Sequence, residues 1–119
     1  MSQAPIFHIA ARADFETMMR DGYYAPVSFD DEGFIHCSYA EQVCDVANAR
    51  FQGQVDLVLI AIDRALLACP VVDEDLYGHG SLFPHIYGPL PIEAVTAIHD
   101  FAALADGRFV LPEAIIALD

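Results

Sequence analysis

Residues 56–63 read Asp-Leu-Val-Leu-Ile-Ala-Ile-Asp, a run of six apolar residues between two acids. A continuous apolar run rich in β-branched residues predicts a central strand that is buried on both faces. The run is too short to cross a membrane, because a membrane-spanning helix needs roughly 20 apolar residues. We therefore expect this strand to lie in the middle of a sheet, with other elements packed on both sides of it.

The chain before this strand contains a short strand pattern followed by a helical pattern. Ile6–Ala10 is apolar and aromatic apart from His8 at its centre, which predicts a first strand. Phe15, Met18 and Met19 then follow at the i, i+3, i+4 spacing of one helix face. A strand and a helix are therefore expected at the start of the chain, with the methionines packed into the core.

A second strand and a second helix are predicted directly downstream. Phe34–Cys37 has a short strand pattern, and residues 38–41 read Ser-Tyr-Ala-Glu. This is a capping-box pattern, in which the Ser38 hydroxyl and the Glu41 carboxylate bond to N–H groups at the start of a helix. The positive end of that helix would lie two residues from His36, so we expect a phosphate or carboxylate to bind there.

Three more strands are predicted after the central one: Val71–Glu74, His85–Tyr87 and Glu93–Phe101. Residues 75–84 contain Gly-His-Gly-Ser and are expected to form a loop. Near the end of the chain, residues 108–111 are expected to be extended, and Pro112 opens a short helix that runs to Leu118.

The elements add up to about six short strands and two or three helices that do not alternate regularly. A chain of 119 residues has room for one domain, since typical domains have roughly 100–150 residues. We predict a single α+β domain over residues 1–119, with a mixed, mainly antiparallel sheet.

The charge of the chain limits its partners. Its 18 Asp and Glu residues stand against five Arg and no Lys, for a formal net charge of −13. Because such a charge repels phosphate backbones, nucleic acid is not expected as a partner. The fraction of hydrophobic residues, 55%, is high enough for a packed core and excludes a disordered chain.

Location is predicted from the cysteines and the N-terminus. Cys37, Cys44 and Cys69 are odd in number and lack a C-x-x-C pair, which argues against a disulfide framework or a cysteine zinc site. The first residues lack the basic and apolar segments of a signal peptide, and no apolar run is long enough for a membrane span. We expect a cytoplasmic protein in a reducing environment, with no membrane partner.

Three histidines lie in short apolar strand patterns: His8, His36 and His85. An imidazole is costly to bury without hydrogen bonds, so three of them in one small domain favour a shared pocket over three separate core positions. Such a pocket could hold a metal ion, but no H-x-x-x-H or C-x-x-C pair is present to support one. We assign no metal ligands, and a three-histidine metal site stays an alternative.

Two further side chains are candidates for the same pocket. Glu74 lies in an acidic run, where it either acts as a general base or is simply solvated. Tyr87 either stacks on a planar ligand or packs on the core, as strand aromatics more often do. Both residues flank the glycine-rich loop, which we expect to be mobile and to close over the pocket when a ligand binds.

Two motifs carry a family resemblance: Gly-Phe-Ile-His-Cys-Ser at residues 33–38 and Phe-Pro-His-Ile-Tyr-Gly at residues 83–88. Together with Ile6-Phe7-His8-Ile9, Gln42 and Glu74, they make the chain resemble the bacterial family called domain of unknown function 952, over about residues 6–111. That family is grouped with the ADP-ribosyltransferase-like fold. The resemblance therefore implies a split α+β domain that grips NAD between two small sheets.

The resemblance also implies roles for individual residues. His8 takes the first-strand place that holds the adenosine-side ribose of NAD. His85, with Tyr87, takes the place where transferases of this fold commonly present a glutamate. A histidine there could still act as a general acid or base. Because that glutamate is missing, the alternative to a transferase is a binding domain that keeps the fold but has no transfer chemistry.

The leading hypothesis is a histidine-lined cleft that binds or processes a small molecule, either NAD or a related nucleotide or phosphosugar. The candidate catalytic residues are His85, His36 and Glu74, and the candidate ligand-binding residues are His8, Ser38 and Tyr87. NAD would be a substrate rather than a permanent cofactor, and an enzyme here would be a transferase or a hydrolase. The alternatives are a non-catalytic binding or regulatory domain and a metal-dependent hydrolase that uses three histidines.

Overall fold

The strand Leu57–Ile62 lies at the centre of the fold, as its sequence predicts. The computed structural model describes residues 5–25, 31–75, 78, 80–112 and 115. The strands in this part of the chain are β1 (Ile6–Ala11), β2 (Tyr23–Tyr24), β3 (Ile35–His36), β4 (Leu57–Ile62), β5 (Val71–Glu74), β6 (Phe83–Ile86), β7 (Leu90–Pro91) and β8 (Val95–Phe101). The α-helices are α1 (Arg12–Met19) and α2 (Ala40–Arg50), and 3-10 turns cover Arg64–Leu66 and Ile92–Ala94. Within these residues no helix is long and apolar enough to cross a membrane.

The main sheet has the strand order β1-β4-β8, and both pairings are antiparallel. Alternate residues of its strands point to opposite faces, and each face packs into its own apolar core. The first core joins Ile6, Ala10, Val58, Ile60 and Ile62 of the sheet to Phe15, Ile35, Ile86 and Leu90. The second joins Phe7, Ile9, Leu57 and Leu59 to Val43 and Ala47 of α2 and to Phe109. Since both faces are covered, every residue of β4 is buried.

A second sheet has the order β3-β6-β5, and β2 pairs with β7 in a two-stranded sheet, all antiparallel. In the second sheet His36 lies directly opposite His85. Residues directly opposite in an antiparallel pair point to the same face, so the two histidines share a face. Ile35 and Ile86 point to the other face, into the first core. The chain is an α+β domain with mainly antiparallel sheets, as predicted.

Several boundaries differ from the prediction. The strand β6 begins at Phe83, two residues earlier than expected. The sequence does not predict β2 or β7, because two residues are too few for a periodicity to register. Residues 108–111, predicted to be extended, belong to no sheet, and Phe109 among them is buried. Met19 is 44% exposed, so its predicted place in the core is wrong. The predicted helix over residues 112–118 lies mostly outside the described residues.

Helix α2 uses capping residues that differ from those predicted. Tyr39 is the N-cap, and its N–H donates to Oε1 of Gln42 at 2.9 Å. Ser38 pairs instead with Phe7 of β1 through two backbone hydrogen bonds of 2.8 Å each. Because this bridge holds Ser38 in strand pairing, the helix starts after it. The predicted capping box of Ser38 and Glu41 is therefore wrong.

Candidate functional site

The main sheet and the second sheet meet at one bridge and then separate. Phe7 and Ser38 exchange two backbone hydrogen bonds, and the next such pair in an antiparallel ladder would be Ile9 with His36. That pair does not form, and the His36 carbonyl instead accepts a hydrogen bond from His8 Nδ1 at 2.6 Å. A cleft of about 590 Å³ lies where the sheets separate, lined by β1, α2 and the second sheet.

Five of the six predicted site residues line this cleft: His8, His36, Ser38, Glu74 and His85. They come together because β1, β3 and β6 meet at the split and each contributes one histidine. Tyr87, the sixth, is not among the lining residues that the structure describes.

His8 is held in one tautomer by two hydrogen bonds. A carbonyl only accepts, so Nδ1 donates to the His36 oxygen, and Nε2 therefore accepts from the Tyr24 hydroxyl at 3.1 Å. Burial lowers the pKa of His8 to about 4, and burial, with the nearby Asp14 carboxylate, raises the pKa of Tyr24. At neutral pH His8 is uncharged with both ring nitrogens engaged, and Tyr24 keeps the proton that it donates.

His36 carries a carboxylate partner. Its Nε2 lies 3.1 Å from Glu32, four residues earlier in the chain, and its side chain is about one-third exposed. A carboxylate that accepts from one ring nitrogen fixes the orientation of an imidazole. Glu32 therefore holds the His36 ring in place at the cleft.

His85 is buried to 2% exposure and carries an unpartnered polar atom. Among the described residues nothing hydrogen-bonds to its buried Nδ1. Phe34 packs edge-on against the ring with centroids 4.9 Å apart, and the His36 ring lies 5.6 Å away. Leaving such a nitrogen unpaired destabilises a protein by roughly 1–3 kcal/mol, which is a cost that a core position selected for packing alone would avoid.

Glu74 and Tyr87 act as a pair. The Tyr87 hydroxyl donates a hydrogen bond to the Glu74 carboxylate, and this hydrogen bond raises the pKa of Tyr87. The Tyr87 ring also packs 5.5 Å from Phe34. Glu74 reaches the cleft, whereas Tyr87 contacts Glu74, so the tyrosine orients the carboxylate.

Ser38 lies in the cleft wall in a setting that differs from the predicted anion site. Its N–H is paired with the Phe7 carbonyl, and the N–H of Tyr39 is paired with Gln42. The two N–H groups nearest to His36 at the start of α2 are therefore already used. The Ser38 hydroxyl, in contrast, makes no hydrogen bond to any described residue.

Polar backbone groups of β1 also face the split. The backbone of Phe7 bonds to Ser38, on the side away from β4, whereas the N–H of Arg12 donates to the carbonyl of Asp56, on the β4 side. Odd-numbered residues of β1 therefore direct their N–H and C=O groups away from β4. Ile9 is the next odd residue, and it lines the cleft. In the described part of the chain, its N–H and C=O have no backbone partner.

The charges along the cleft are mostly negative. The described lining includes the carboxylates Asp14, Asp45, Glu74 and Asp75 and one guanidinium, Arg50. Arg50 is the last residue of α2, whose 11 residues span about 16 Å at 1.5 Å per residue. The guanidinium therefore lies at the opposite end of the helix from the histidines.

The described residues contain no metal-binding cluster: no three His, Cys, Asp or Glu side chains among them are close enough to hold an ion. His8 offers no lone pair to a metal, since Nδ1 carries the proton and Nε2 accepts from Tyr24. The alternative of a three-histidine metal hydrolase therefore lacks a ligand set among the residues that the structure describes.

Sequence reasoning missed Tyr24, Glu32 and the backbone of Ile9. The i, i+4 spacing of Glu32 and His36 is a signal, although a weak one, because such pairs are common on exposed surfaces. Nothing in the sequence indicates that Tyr24 lies beside His8, since that contact depends on long-range pairing of a two-residue strand.

Three solved structures and one family model are similar to this chain. The model described as protein of unknown function (DUF952) matches residues 9–98. The crystal structure of protein CC0527 from Caulobacter crescentus is 34% identical, has a TM-score of 0.83, and covers 95% of this chain and 99% of that one. A double mutant of CC0527 is 32% identical with the same coverage and a TM-score of 0.84. The solution structure of CC0527 is 32% identical, covers 98% and 100% of the two chains, and has a TM-score of 0.74. No curated protein matches.

Proposed function

The chain belongs to the DUF952 family of proteins of unknown function, and we propose that it binds NAD or a related nucleotide or phosphosugar in the cleft beside His8, His36 and His85. One observation carries the proposal: the three histidines converge on a single cleft, and the buried Nδ1 of His85 has no partner among the described residues. A volume of about 590 Å³ lies within the range of small-molecule sites, roughly 300–1,000 Å³.

The free edge of β1 supports a ligand that carries an amide. The N–H and C=O of Ile9 point into the split side by side, as in a strand that awaits a neighbour. A carboxamide offers one acceptor and two donors in a plane, so it can pair with both groups at once. The nicotinamide group of NAD is a carboxamide of this kind.

The carboxylates support a ligand rich in hydroxyl groups. A carboxylate accepts hydrogen bonds from a sugar, as acidic residues do for the ribose in dinucleotide-binding folds. Glu74 is oriented for this by Tyr87, and the Ser38 hydroxyl can add a further contact.

Among the described lining residues Arg50 carries the only guanidinium, which limits the number of phosphates that the cleft can hold. Arg50 lies about one helix length from Ser38. The four carboxylates of the cleft would repel additional phosphates. We therefore expect NAD, ADP-ribose and nicotinamide mononucleotide to bind better than ATP.

Hydrolysis is the reaction that the side chains could support. Water would add to the ribose carbon, the bond to nicotinamide would break with its electron pair leaving on nicotinamide, and the water proton would pass to His36 or Glu74. His8 cannot serve as this base at neutral pH, because its pKa is about 4 and its Nε2 is already occupied. A binding domain without this step is favoured by the same locked His8 and by a histidine, His85, where transferases commonly carry glutamate.

The proposal is tested by thermal shift and calorimetry with NAD, ADP-ribose, nicotinamide mononucleotide and ATP. A ligand at a hundred times its Kd should add about 2.7 kcal/mol to the free energy of unfolding. His85→Ala should abolish the response. His99→Ala is the matched control, since His99 lies on β8 and is not among the described residues of the cleft wall, and it should bind as wild type does.

Absence of any response by the wild-type protein to all four nucleotides would overturn the proposal. Where NAD binds, chromatography after long incubation distinguishes NAD hydrolysis from binding without a reaction. Release of nicotinamide indicates hydrolysis, whereas binding without release indicates a non-catalytic domain.

A further inference from the structure

Gln42 connects the two walls of the cleft. It lies in the first turn of α2, whose later residues Asp45 and Arg50 form one wall. Its Nε2 donates to the carbonyl of Leu82 at 2.8 Å, and Leu82 directly precedes β6, the strand that carries His85 in the other wall. A single side chain therefore spans from the helix wall to the histidine wall.

The same side chain also fixes the start of the helix. Its Oε1 accepts from the N–H of Tyr39, so the amide of Gln42 is anchored on both sides. With the acceptor held by the helix start, the amide group has a fixed orientation. The position of this amide therefore determines where the Leu82 carbonyl lies.

Leu82 lies one residue before the β6 ladder, in which Phe83 pairs with Glu74 of β5. The Leu82 side chain is 58% exposed, so apolar burial does not hold this segment. A second tie between α2 and the second sheet joins Tyr39 to Asp73 of β5 at 2.6 Å, with Arg64 donating to Tyr39 at 2.7 Å. That tie holds β5, the edge strand, whereas the Gln42 contact holds the segment that enters β6.

We infer that Gln42 is a positioning residue that sets the distance of the His85 wall from α2 and thereby tunes ligand affinity; the affinity part rests on the proposed function. An error of less than 1 Å in the placement of a binding group is enough to weaken its hydrogen bonds, which decline steeply outside their narrow range of distance and angle. Gln42 touches no ligand in this scheme. It acts through Leu82 on the position of His85.

The variant Gln42→Glu separates this role from helix capping. A glutamate keeps an oxygen acceptor for the Tyr39 N–H and places a negative charge in the first turn of α2, where it is favourable. It loses the N–H donor to Leu82 and sets a carboxylate against that carbonyl. Stability should therefore stay at the wild-type level while the wall moves.

Asn48→Ala is the matched control on the same helix. Asn48 also makes two amide hydrogen bonds, to the backbone N–H and C=O of Phe109 at 2.8 and 3.4 Å. Phe109 is not among the described residues that line the cleft. This variant should lose stability and leave the cleft unchanged.

Two measurements decide the inference. In the ligand-free protein, the NMR signals of the His85 and His36 rings should shift in Gln42→Glu and stay at their wild-type positions in Asn48→Ala. By calorimetry, Gln42→Glu should bind NAD or ADP-ribose about tenfold more weakly, and Asn48→Ala should bind as wild type does. Unchanged ring signals in Gln42→Glu would overturn the inference, and so would unchanged affinity of a wild-type ligand. If the wild type binds no nucleotide, the proposed function fails, and the ring signals alone still decide whether Gln42 positions His85.

Discussion

In the main sheet every residue of β4 is buried among apolar side chains, whereas the second sheet buries a histidine whose Nδ1 finds no partner among the described residues. β4 has six residues and two strand neighbours, while β3 has two residues, and Val72 of β5 is 40% exposed. Apolar burial stabilises by about 25 cal/mol per Å². The strand β4 takes this gain in full, and the second sheet gives up part of it, since it buries the polar ring of His85 beside the cleft.

The difference indicates that β4 supplies stability, whereas the second sheet supplies side chains to the cleft. Substitutions in β4 should unfold the protein and spare the affinity of the molecules that stay folded. Substitutions in the second sheet should do the reverse. The largest expected effect on stability comes from β4, and the smallest from His85.

Leu59→Ala should destabilise the protein by about 2–5 kcal/mol, because Leu59 is fully buried in the second core and its removal leaves a cavity. Urea unfolding measures the loss. Val55→Ala is the control, since Val55 is 84% exposed and its truncation should change little. A Leu59→Ala protein that is as stable as the Val55→Ala control would break the comparison.

His8 should make stability depend on pH. Its pKa is about 4 in the folded protein and 6.5 when unperturbed, so between these values the unfolded chain binds more protons. The stability due to neutral His8 is therefore fully present above pH 6.5 and is lost as the pH falls toward 4. At about 1.4 kcal/mol per pKa unit, the loss is about 3 kcal/mol.

The variant His8→Gln isolates this dependence from that of the carboxylates. Urea unfolding of both proteins between pH 7 and pH 4 gives the difference in their free energies of unfolding. That difference should shrink by about 3 kcal/mol over the range. A difference that stays constant would mean that His8 is not held neutral by burial.

His85→Ala should change stability by only about 1 kcal/mol, although the side chain is 2% exposed. The ring lines an existing cleft, so its removal enlarges that cleft instead of creating a closed cavity, and Nδ1 has no described hydrogen bond to lose. Urea unfolding beside the nucleotide titration gives both quantities for one protein. A loss of roughly 2–4 kcal/mol would make His85 a core residue of the same kind as Leu59.

The sequence predicted the parts of the fold that depend on local pattern. The run at residues 56–63 identified the central strand, because burial on both faces leaves an unmistakable apolar signature. The three histidines stood out because strands have no packing need for an imidazole. Their convergence on one cleft agrees with the prediction of a shared pocket.

The parts that were missed depend on contacts between distant residues. Ser38 matches a capping pattern, yet pairing with Phe7 holds it outside the helix and passes the cap to Tyr39 and Gln42. A tertiary hydrogen bond thus overrode a local preference. The contact between His8 and Tyr24 also depends on distant residues, and the strand that carries Tyr24 is too short to be predicted from its sequence.

The His8 side chain replaces one backbone hydrogen bond between β1 and β3. Its Nδ1 donates to the His36 carbonyl, which is the acceptor that the N–H of Ile9 would use in a continued ladder. With an aliphatic residue at position 8, we expect that carbonyl to accept from the N–H of Ile9, so that β3 pairs with β1 over one more pair of residues. The strands would then run β8-β4-β1-β3-β6-β5 as one six-stranded sheet with no gap. In this molecule the His8 imidazole stands at the place of that rung, and the cleft opens beside it.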